Sequence, residues 1–317
     1  SGKPRNADTS LLTLLQALHD APAPVLAVDI PSGLQADTGT YAPELIADSA
    51  YGTGAGSLFH AQNTLTLLTL KPGLFTASGR DAAGTVWFDD LGADPSNDAA
   101  CAWLAGAPAS APRHHASHKG SYGDVAVIGG APGMAGAALL AASAALHSGA
   151  GRVFTCLLDG NSTGFASAQP ELMLRAPESL DLATMAVVCG CGGGTAVRAL
   201  LPRVLSTAAS LVLDADALNA IATDPSLQTL LRQRAQRGAA TVLTPHPLEA
   251  ARLLNTTTPA IQADRLRAAQ RLADAYQCTV VLKGSGSVVA TPGITPSINP
   301  TGNAQLATAG TGDVLAG

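Results

Sequence analysis

The chain has 317 residues, 47% hydrophobic and 13% charged, with 33 glycines, 20 prolines and a formal net charge of −5. That balance excludes a disordered chain and allows two α/β domains, each large enough for its own core. The acidic balance, with no Lys/Arg cluster, argues against nucleic acid as a partner, and the longest apolar run, residues 134–146, is too short to cross a bilayer.

Five cysteines (Cys101, Cys156, Cys189, Cys191 and Cys278) form an odd set without a C-x-x-C pair. Reduced thiols in a cytoplasmic protein are therefore expected, and no signal peptide is read at the N-terminus. Leucines at 11, 12, 14, 15 and 18 repeat at helical spacing behind Asp8-Thr9-Ser10, and predict a first helix ending before Pro22 and Pro24. Residues 25–30 then read as a buried parallel strand, stopped by Pro31-Ser32-Gly33. Asp29 stands at its C-terminal edge before a glycine turn, where open α/β sheets bind ligands; the alternative is a capped strand end. Residues 64–70 and 86–88 predict two further strands. Residues 92–117, rich in Asp, Pro, Ser and Ala around Trp103-Leu104, read as a linker. His114, His115 and His118 lie close together but lack a fourth ligand, and read as surface residues.

The second domain begins near Lys119. A strand is expected over 124–128, a Gly-rich turn over 129–136, a helix over 137–147 and a strand over 153–158. A dinucleotide-binding fold deserves weighing here, but Gly129, Gly130, Gly133 and Gly136 do not spell G-x-G-x-x-G. Residues 186–194 run from a strand into a second glycine turn, where Gly194 permits close approach of a nucleotide. A strand at 211–213 leads to Asp214 and Asp216; Asp216 reads as a helix cap or a turn hydrogen bond, and Asp214 at the strand tip stays open between roles. The strand over 240–244 ends in Pro245-His246-Pro247, where two prolines set the direction of an imidazole. An amphipathic helix is expected over 262–275. Strands over 279–282 and 287–290 flank Lys283-Gly284-Ser285-Gly286 as a hairpin, with a lysine placed to neutralise a phosphate.

The last stretch carries the sharpest signal. Gly310 and Gly312 let backbone N–H groups approach an anion, and residues 314–316 read as the first turn of a helix, whose N-terminus collects positive charge. Asp313 beside them suits a general base for phosphoryl transfer; a simple helix cap is the alternative.

Gly310-Thr311-Gly312-Asp313 resembles the anion hole and base of ribokinase-like enzymes. Ahead of it stand His118-Lys119-Gly120-Ser121-Tyr122-Gly123, the Gly129–Ala138 stretch, Thr244-Pro245-His246-Pro247 and Leu282-Lys283-Gly284. Together they resemble the ADP-dependent NAD(P)H-hydrate dehydratases. Val28-Asp29-Ile30-Pro31-Ser32-Gly33-Leu34 and Leu70-Lys71-Pro72-Gly73-Leu74 resemble the closing part of the NAD(P)H-hydrate epimerase domain. Residues 24–91 and 118–317 carry the likeness.

The resemblance implies a ribokinase-like three-layer αβα domain over 118–317, preceded by a partial Rossmann-like α/β domain over 1–91 and a linker over 92–117. It implies repair of hydrated NADH or NADPH: ADP phosphorylates the C6 hydroxyl, and phosphate is then eliminated. By the same likeness Asp313 is the base and Gly310, Thr311 and Gly312 form the anion hole. Lys283, Gly284, Ser285, Gly286 and Ser287 join Gly312 in holding ADP, and Ala137, Gly194, His246, Asp313 and Asp29 meet the hydrated nucleotide. Magnesium is expected with ADP, potassium at Ser32 in the epimerase-like half, and a homo-oligomer as the assembly. Cys191 and Gly193 stand where the family usually has Pro and Leu, which implies a more mobile loop. The epimerase half lacks the family's opening nucleotide loop and acid and is expected to be inactive. The chain reads as truncated at both ends, so a kinase for a small alcohol and an inactive nucleotide-binding fragment remain alternatives.

Overall fold

Two separate sheets organise the chain in a computed structural model that describes residues 13–15, 17–18, 22–41, 59–94, 99–108, 112–160 and 169–317. Of the helix expected from the leucines at 11–18, residues 13–15 and 17–18 are described and are helical. The first sheet has three parallel strands in sequence order, β1 (Leu26–Val28), β2 (Asn63–Leu67) and β3 (Thr85–Asp89). The short helix α1 (Gly79–Ala82) precedes β3, and Leu34, Tyr41, Leu74, Ala82 and Ala83 form the small core behind the sheet. Leu26, Val28 and Trp87 stay exposed.

The connecting stretch contributes β4 (Trp103–Leu104), and the second half opens with β5 (Asp124–Gly129), α2 (Ala135–His147) and β6 (Arg152–Leu157). Next come β7 (Met173–Leu174), β8 (Ala186–Cys189), α3 (Val197–Thr207), β9 (Ser210–Leu213), α4 (Ala215–Ala222) and α5 (Pro225–Gln236). The chain continues through β10 (Thr241–Leu243), α6 (Pro247–Leu253), α7 (Thr258–Ala263), α8 (Arg265–Tyr276) and β11 (Thr279–Leu282). It closes with β12 (Val288–Thr291), β13 (Ile294–Ile298) and α9 (Thr311–Ala316).

These strands form one ten-stranded sheet in the order β4-β13-β12-β11-β10-β9-β8-β5-β6-β7. The run from β11 to β7 is parallel, and β12 is antiparallel to both its neighbours. Alternation along β5 explains the layering. Ala126 and Ile128 join the core built with α3, α4, α5, α6 and α8, while Val127 joins the one built with α2 and α9. Helices thus cover both faces, the three-layer αβα arrangement expected from the sequence. On α2, Ala138, Ala141, Ala142 and Ala145 are the buried positions, and their small side chains bring the helix close to the sheet.

Three local features differ from the sequence expectation. The helix expected over 262–275 is two helices, because Asp264 leaves helical geometry and its carboxylate accepts the Arg267 N–H at 3.0 Å as the cap of α8. Trp103 and Leu104, expected within the connecting stretch, pair with Ser297 and Ile298 of β13 as an edge strand. The strand β13 itself carries Pro296, which normally argues against a strand. It fits here because the register slips between Val289 and Thr291, the irregularity that spares a ladder donor.

Candidate active site

Parallel pairing of β8, β9, β10 and β11 brings their C-terminal ends side by side, and each end delivers a polar group. The Gly190–Gly194 turn follows β8, Asp214 follows β9, Thr244-Pro245-His246 follows β10, and Lys283 follows β11. The residues following a parallel strand run into a crossover, so side chains there face a crevice. The start of α9 lies in that crevice.

Asp214 is the centre of the cluster. It holds the N-cap position of α4 in extended geometry, but its side chain makes no cap bond. Its Oδ1 instead accepts from Thr244 Oγ1 at 2.7 Å and from Lys283 Nζ at 2.6 Å, with Asp214 only 2% exposed. Asp216, expected to cap α4, lies inside its first turn, and Oδ2 accepts the Gly194 N–H at 2.7 Å. The N-cap position thus belongs to Asp214, while Asp216 makes a turn hydrogen bond, the other half of the reading for it, and pins the glycine turn.

The α9 start comes close to this pair. A Cβ on Gly312 would lie 3.3 Å from Lys283 Nζ and 4.0 Å from Asp214 Oδ2, so a larger residue would crowd the ammonium. Asp313 sits in the first turn of α9, whose N-cap is Gly310 in left-handed geometry with no side-chain cap bond. The Asp313 carboxylate, an Asp214 oxygen and Cys191 Sγ lie within 4.8 Å of one another. Burial pushes the Asp313 carboxyl above its ordinary value, and the like charge of Asp214 adds to that; a hydrogen bond from Cys191 and the Lys283 charge act the other way. A raised carboxyl is a better proton acceptor. As a metal site the cluster fits magnesium through its two carboxylates alone, since a hard cation takes oxygen ligands and a thiol suits softer ions.

The Lys283 loop has an unusual division of labour. The carbonyls of Leu282, Lys283, Gly284, Ser285 and Gly286 all accept hydrogen bonds from the protein. Among the described residues, no acceptor is recorded for the N–H of Gly284, Ser285 or Gly286. The Gly284 and Ser285 donors on the exposed part of the turn, beside an ammonium and next to buried Gly286, form an anion-binding surface. Ser287 Oγ supports the turn by donating to the Gly284 carbonyl at 3.2 Å.

Other expected site residues take different positions. His246 caps α6: Nδ1 accepts from Leu248 and Glu249 N–H, and Nε2 lies 3.2 Å from Glu249 Oε1. Both ring nitrogens are thus engaged, and the half-exposed ring offers an edge and a face. Burial and the Lys283 charge lower its pKa, keeping the imidazole neutral. Ala137 lies at the start of α2 against Gly192, one turn from Gly194. Asp29 and Ser32 belong to the first sheet, at the end of β1. Asp29 adopts positive φ (71°), pairs with Lys71, and accepts the Leu67 N–H at 3.1 Å; burial raises its carboxyl, but the hydrogen bonds outweigh it and the net shift is downward. A non-glycine residue in that region signals local strain at a strand end. Ser32 is exposed in the turn after β1. In the sequence Lys71 stands in a motif without an assigned role and Asp214 is open between roles, because spacing carries no sign that either faces a partner 42 or 69 residues away.

A mostly parallel sheet between helical layers, with a Gly-x-Gly-Asp helix start at the C-terminal ends of its strands, defines a ribokinase-like α/β domain. The chain belongs to the NAD(P)H-hydrate dehydratase family, whose model matches residues 125–317; that of the YjeF-related protein N-terminus matches residues 1–73. It is 37% identical over 328 residues to the bifunctional NAD(P)H-hydrate repair enzyme Nnr of Escherichia coli, covering 97% of this chain and 58% of that protein. It is 44% identical over 209 residues to the ADP-dependent (S)-NAD(P)H-hydrate dehydratase of Neisseria meningitidis, covering 63% of this chain and 69% of that one. Among solved structures, the Bacillus subtilis ADP/ATP-dependent NAD(P)H-hydrate dehydratase co-crystallized with ATP/Mg2+ is similar at a TM-score of 0.54. It shares 31% identity, over 65% of this chain and 73% of that one. Among the described residues no helix is long and apolar enough to cross a membrane.

Proposed function

We propose that this chain repairs hydrated NADH and NADPH by ADP-dependent dehydration of the (S)-hydrate. The carrying observation is the convergence of a raised carboxyl, Asp313, with the Lys283–Asp214 pair at the mouth of an amide-lined loop. Asp313 takes the proton of the C6 hydroxyl as its oxygen attacks the β-phosphorus of ADP. The P–O bond to AMP breaks, and AMP leaves with that electron pair. Loss of the C5 proton and of phosphate from C6 then restores the dihydronicotinamide. Lys283 and the N–H groups of Gly284, Ser285 and Gly286 hold ADP, with Ser287 bracing their turn, while the Gly310, Thr311 and Gly312 amides hold the moving phosphoryl group.

Magnesium would supply neutralisation of phosphate charge, and the Asp313 and Asp214 carboxylates are the residues that would hold it. Ala137, Gly194 and the edge of His246 line the nicotinamide side. The substrate and the donor are assigned by similarity to the hydrate-repair and ADP-dependent dehydratase relatives. In the first half, Asp29 meets a hydrated nucleotide and Ser32 contributes to a potassium site. The proposed domain limits are 1–91 and 118–317, with β4 of the 92–117 linker joining the sheet of the second. Buried, unpaired thiols suit the cytoplasm, and a homo-oligomer is the assembly we assign.

The test is recovery of the NADH absorbance when the protein receives NADH hydrate, ADP and magnesium. Recovery with stoichiometric AMP and phosphate supports the proposal. A stable phosphorylated product would assign a kinase instead, and no turnover with tight ADP binding would assign a nucleotide-binding module.

A further inference from the structure

Arg265 is 1% exposed at the start of α8, and burial lowers its pKa to about 10. Among the described residues no carboxylate pairs with it. Its guanidinium is spread instead over neutral oxygens: Gln262 Oε1 at 2.8 Å, Thr76 Oγ1 at 3.0 Å, and the carbonyls of Leu282 (3.2 Å), Lys283 (3.3 Å) and Gly286 (3.4 Å). A buried cation without a counter-charge is costly, and is retained where its fixed fork of donors organises something. What this fork organises is the underside of the Lys283 loop.

The other support comes from the first half of the chain. Thr76 Oγ1, which accepts from Arg265, lies 3.2 Å from the Ser285 carbonyl and 3.3 Å from that of Gly286, and the Ala77 N–H donates to the Ser285 carbonyl at 3.2 Å. The backbone contact is close enough to require glycine, since a Cβ on Gly286 would collide with the Phe75 carbonyl. Arg80 extends the same junction by donating to the carbonyls of Pro300 and Gly302 at 3.1 and 2.7 Å.

We infer that Thr76 and Arg265 are positioning residues for the nucleotide loop. The Lys283 carbonyl that Arg265 holds shares its peptide plane with the Gly284 N–H, and the Ser285 carbonyl that Thr76 and Ala77 hold shares its plane with the Gly286 N–H, so contacts from the epimerase-like half set how these donors face and with them the nucleotide affinity of the dehydratase half. The inference rests on the assignment of this loop to ADP. A peptide plane has its N–H and C=O on opposite sides, so capture of one face presents the other. Loss of the Thr76 hydroxyl leaves the Ser285 carbonyl on the Ala77 N–H alone and the Gly286 carbonyl on Arg265 alone, and removes the acceptor of Arg265 Nε; the loosened loop binds nucleotide more weakly and Asp313 is untouched.

The experiment compares Thr76→Val and Thr76→Ser in the full chain, by ADP titration calorimetry and by steady-state turnover of NADH hydrate with ADP and magnesium. Thr76→Val is expected to raise the ADP Kd and KM about tenfold, the scale of one lost hydrogen bond, with kcat within about twofold. Thr76→Ser, which keeps the hydroxyl, restores both. A merely structural threonine would instead lower the folded fraction and kcat together, and that result overturns the inference, as does an unchanged ADP Kd in Thr76→Val. The double variant Lys283→Met, Asp214→Asn separates the two levels. If it leaves ADP binding unchanged, the loop is not the nucleotide site and both readings fall. If it weakens ADP binding while Thr76→Val does not, only the positioning role falls.

Discussion

Asp313 and Asp214 are chemically identical residues with different work, and their surroundings make the difference. Asp214 is neutralised by Lys283 and bonded to Thr244, whereas Asp313 faces the cleft, and burial and its neighbour's charge raise its proton affinity. Asp313→Asn is expected to lower turnover by about 10²–10⁴ and spare ADP binding, as measured by absorbance recovery and calorimetry. Because the Asp313 carboxyl is raised, activity should fall on acidification at a higher pH than an ordinary aspartate would give. Asp214→Asn should move that acid limb to lower pH, since it removes a like charge, and a pH profile of kcat/KM would show the shift. The ion pair also bears on stability. Lys283→Met leaves a carboxylate buried and alone, at a cost of about 3–5 kcal/mol in denaturant unfolding, whereas the double variant with Asp214→Asn should recover much of it.

At the scale of elements, short capping motifs define the ends of the helices that carry the site. His246 and Glu249 cap α6 reciprocally, Asp264 breaks α7 from α8, and Asp224 caps α5 by accepting from Ser226 and Leu227. Asp224 also pairs with Arg198 at 2.7 Å, which ties α5 to α3. Asp224→Ala is therefore expected to cost about 1–2 kcal/mol, and thermal unfolding would read it without a change in ADP affinity. The expected helix over 262–275 had the right face, as Ala268, Ala269, Leu272, Ala273 and Tyr276 are all buried. Its periodicity ran through the break because a cap interrupts hydrogen bonding without disturbing the apolar spacing.

For the whole molecule, stability depends on pH through a residue that performs no chemistry. Glu249 is buried, and its carboxyl rises from 4.5 to about 6. Between those values Glu249 binds more proton in the folded chain than in the unfolded one, so its contribution to stability is fully present below 4.5 and is lost as pH rises through the window, by about 2 kcal/mol. Glu249→Gln should flatten that segment of a stability–pH curve while retaining an acceptor for the His246 N–H. The two halves should also resist separation, since Thr76, Ala77 and Arg80 bond across their junction and β4 pairs with β13.

The sequence by itself determined what short-range chemistry dictates: the parallel strands, the glycine turns after them, the hairpin around Lys283 and the Gly-x-Gly-Asp helix start. Each is written in contiguous residues whose backbone preferences and spacing are local. Only the tertiary structure decided which of these face one another. The Asp214–Lys283 pair, the engagement of both His246 nitrogens and the Arg265–Thr76 support depend on strand order, and contact across strands leaves no spacing to read. Thr76 and Arg265 are 189 residues apart in the chain, and they meet only because the two halves pack against one another at the Lys283 loop.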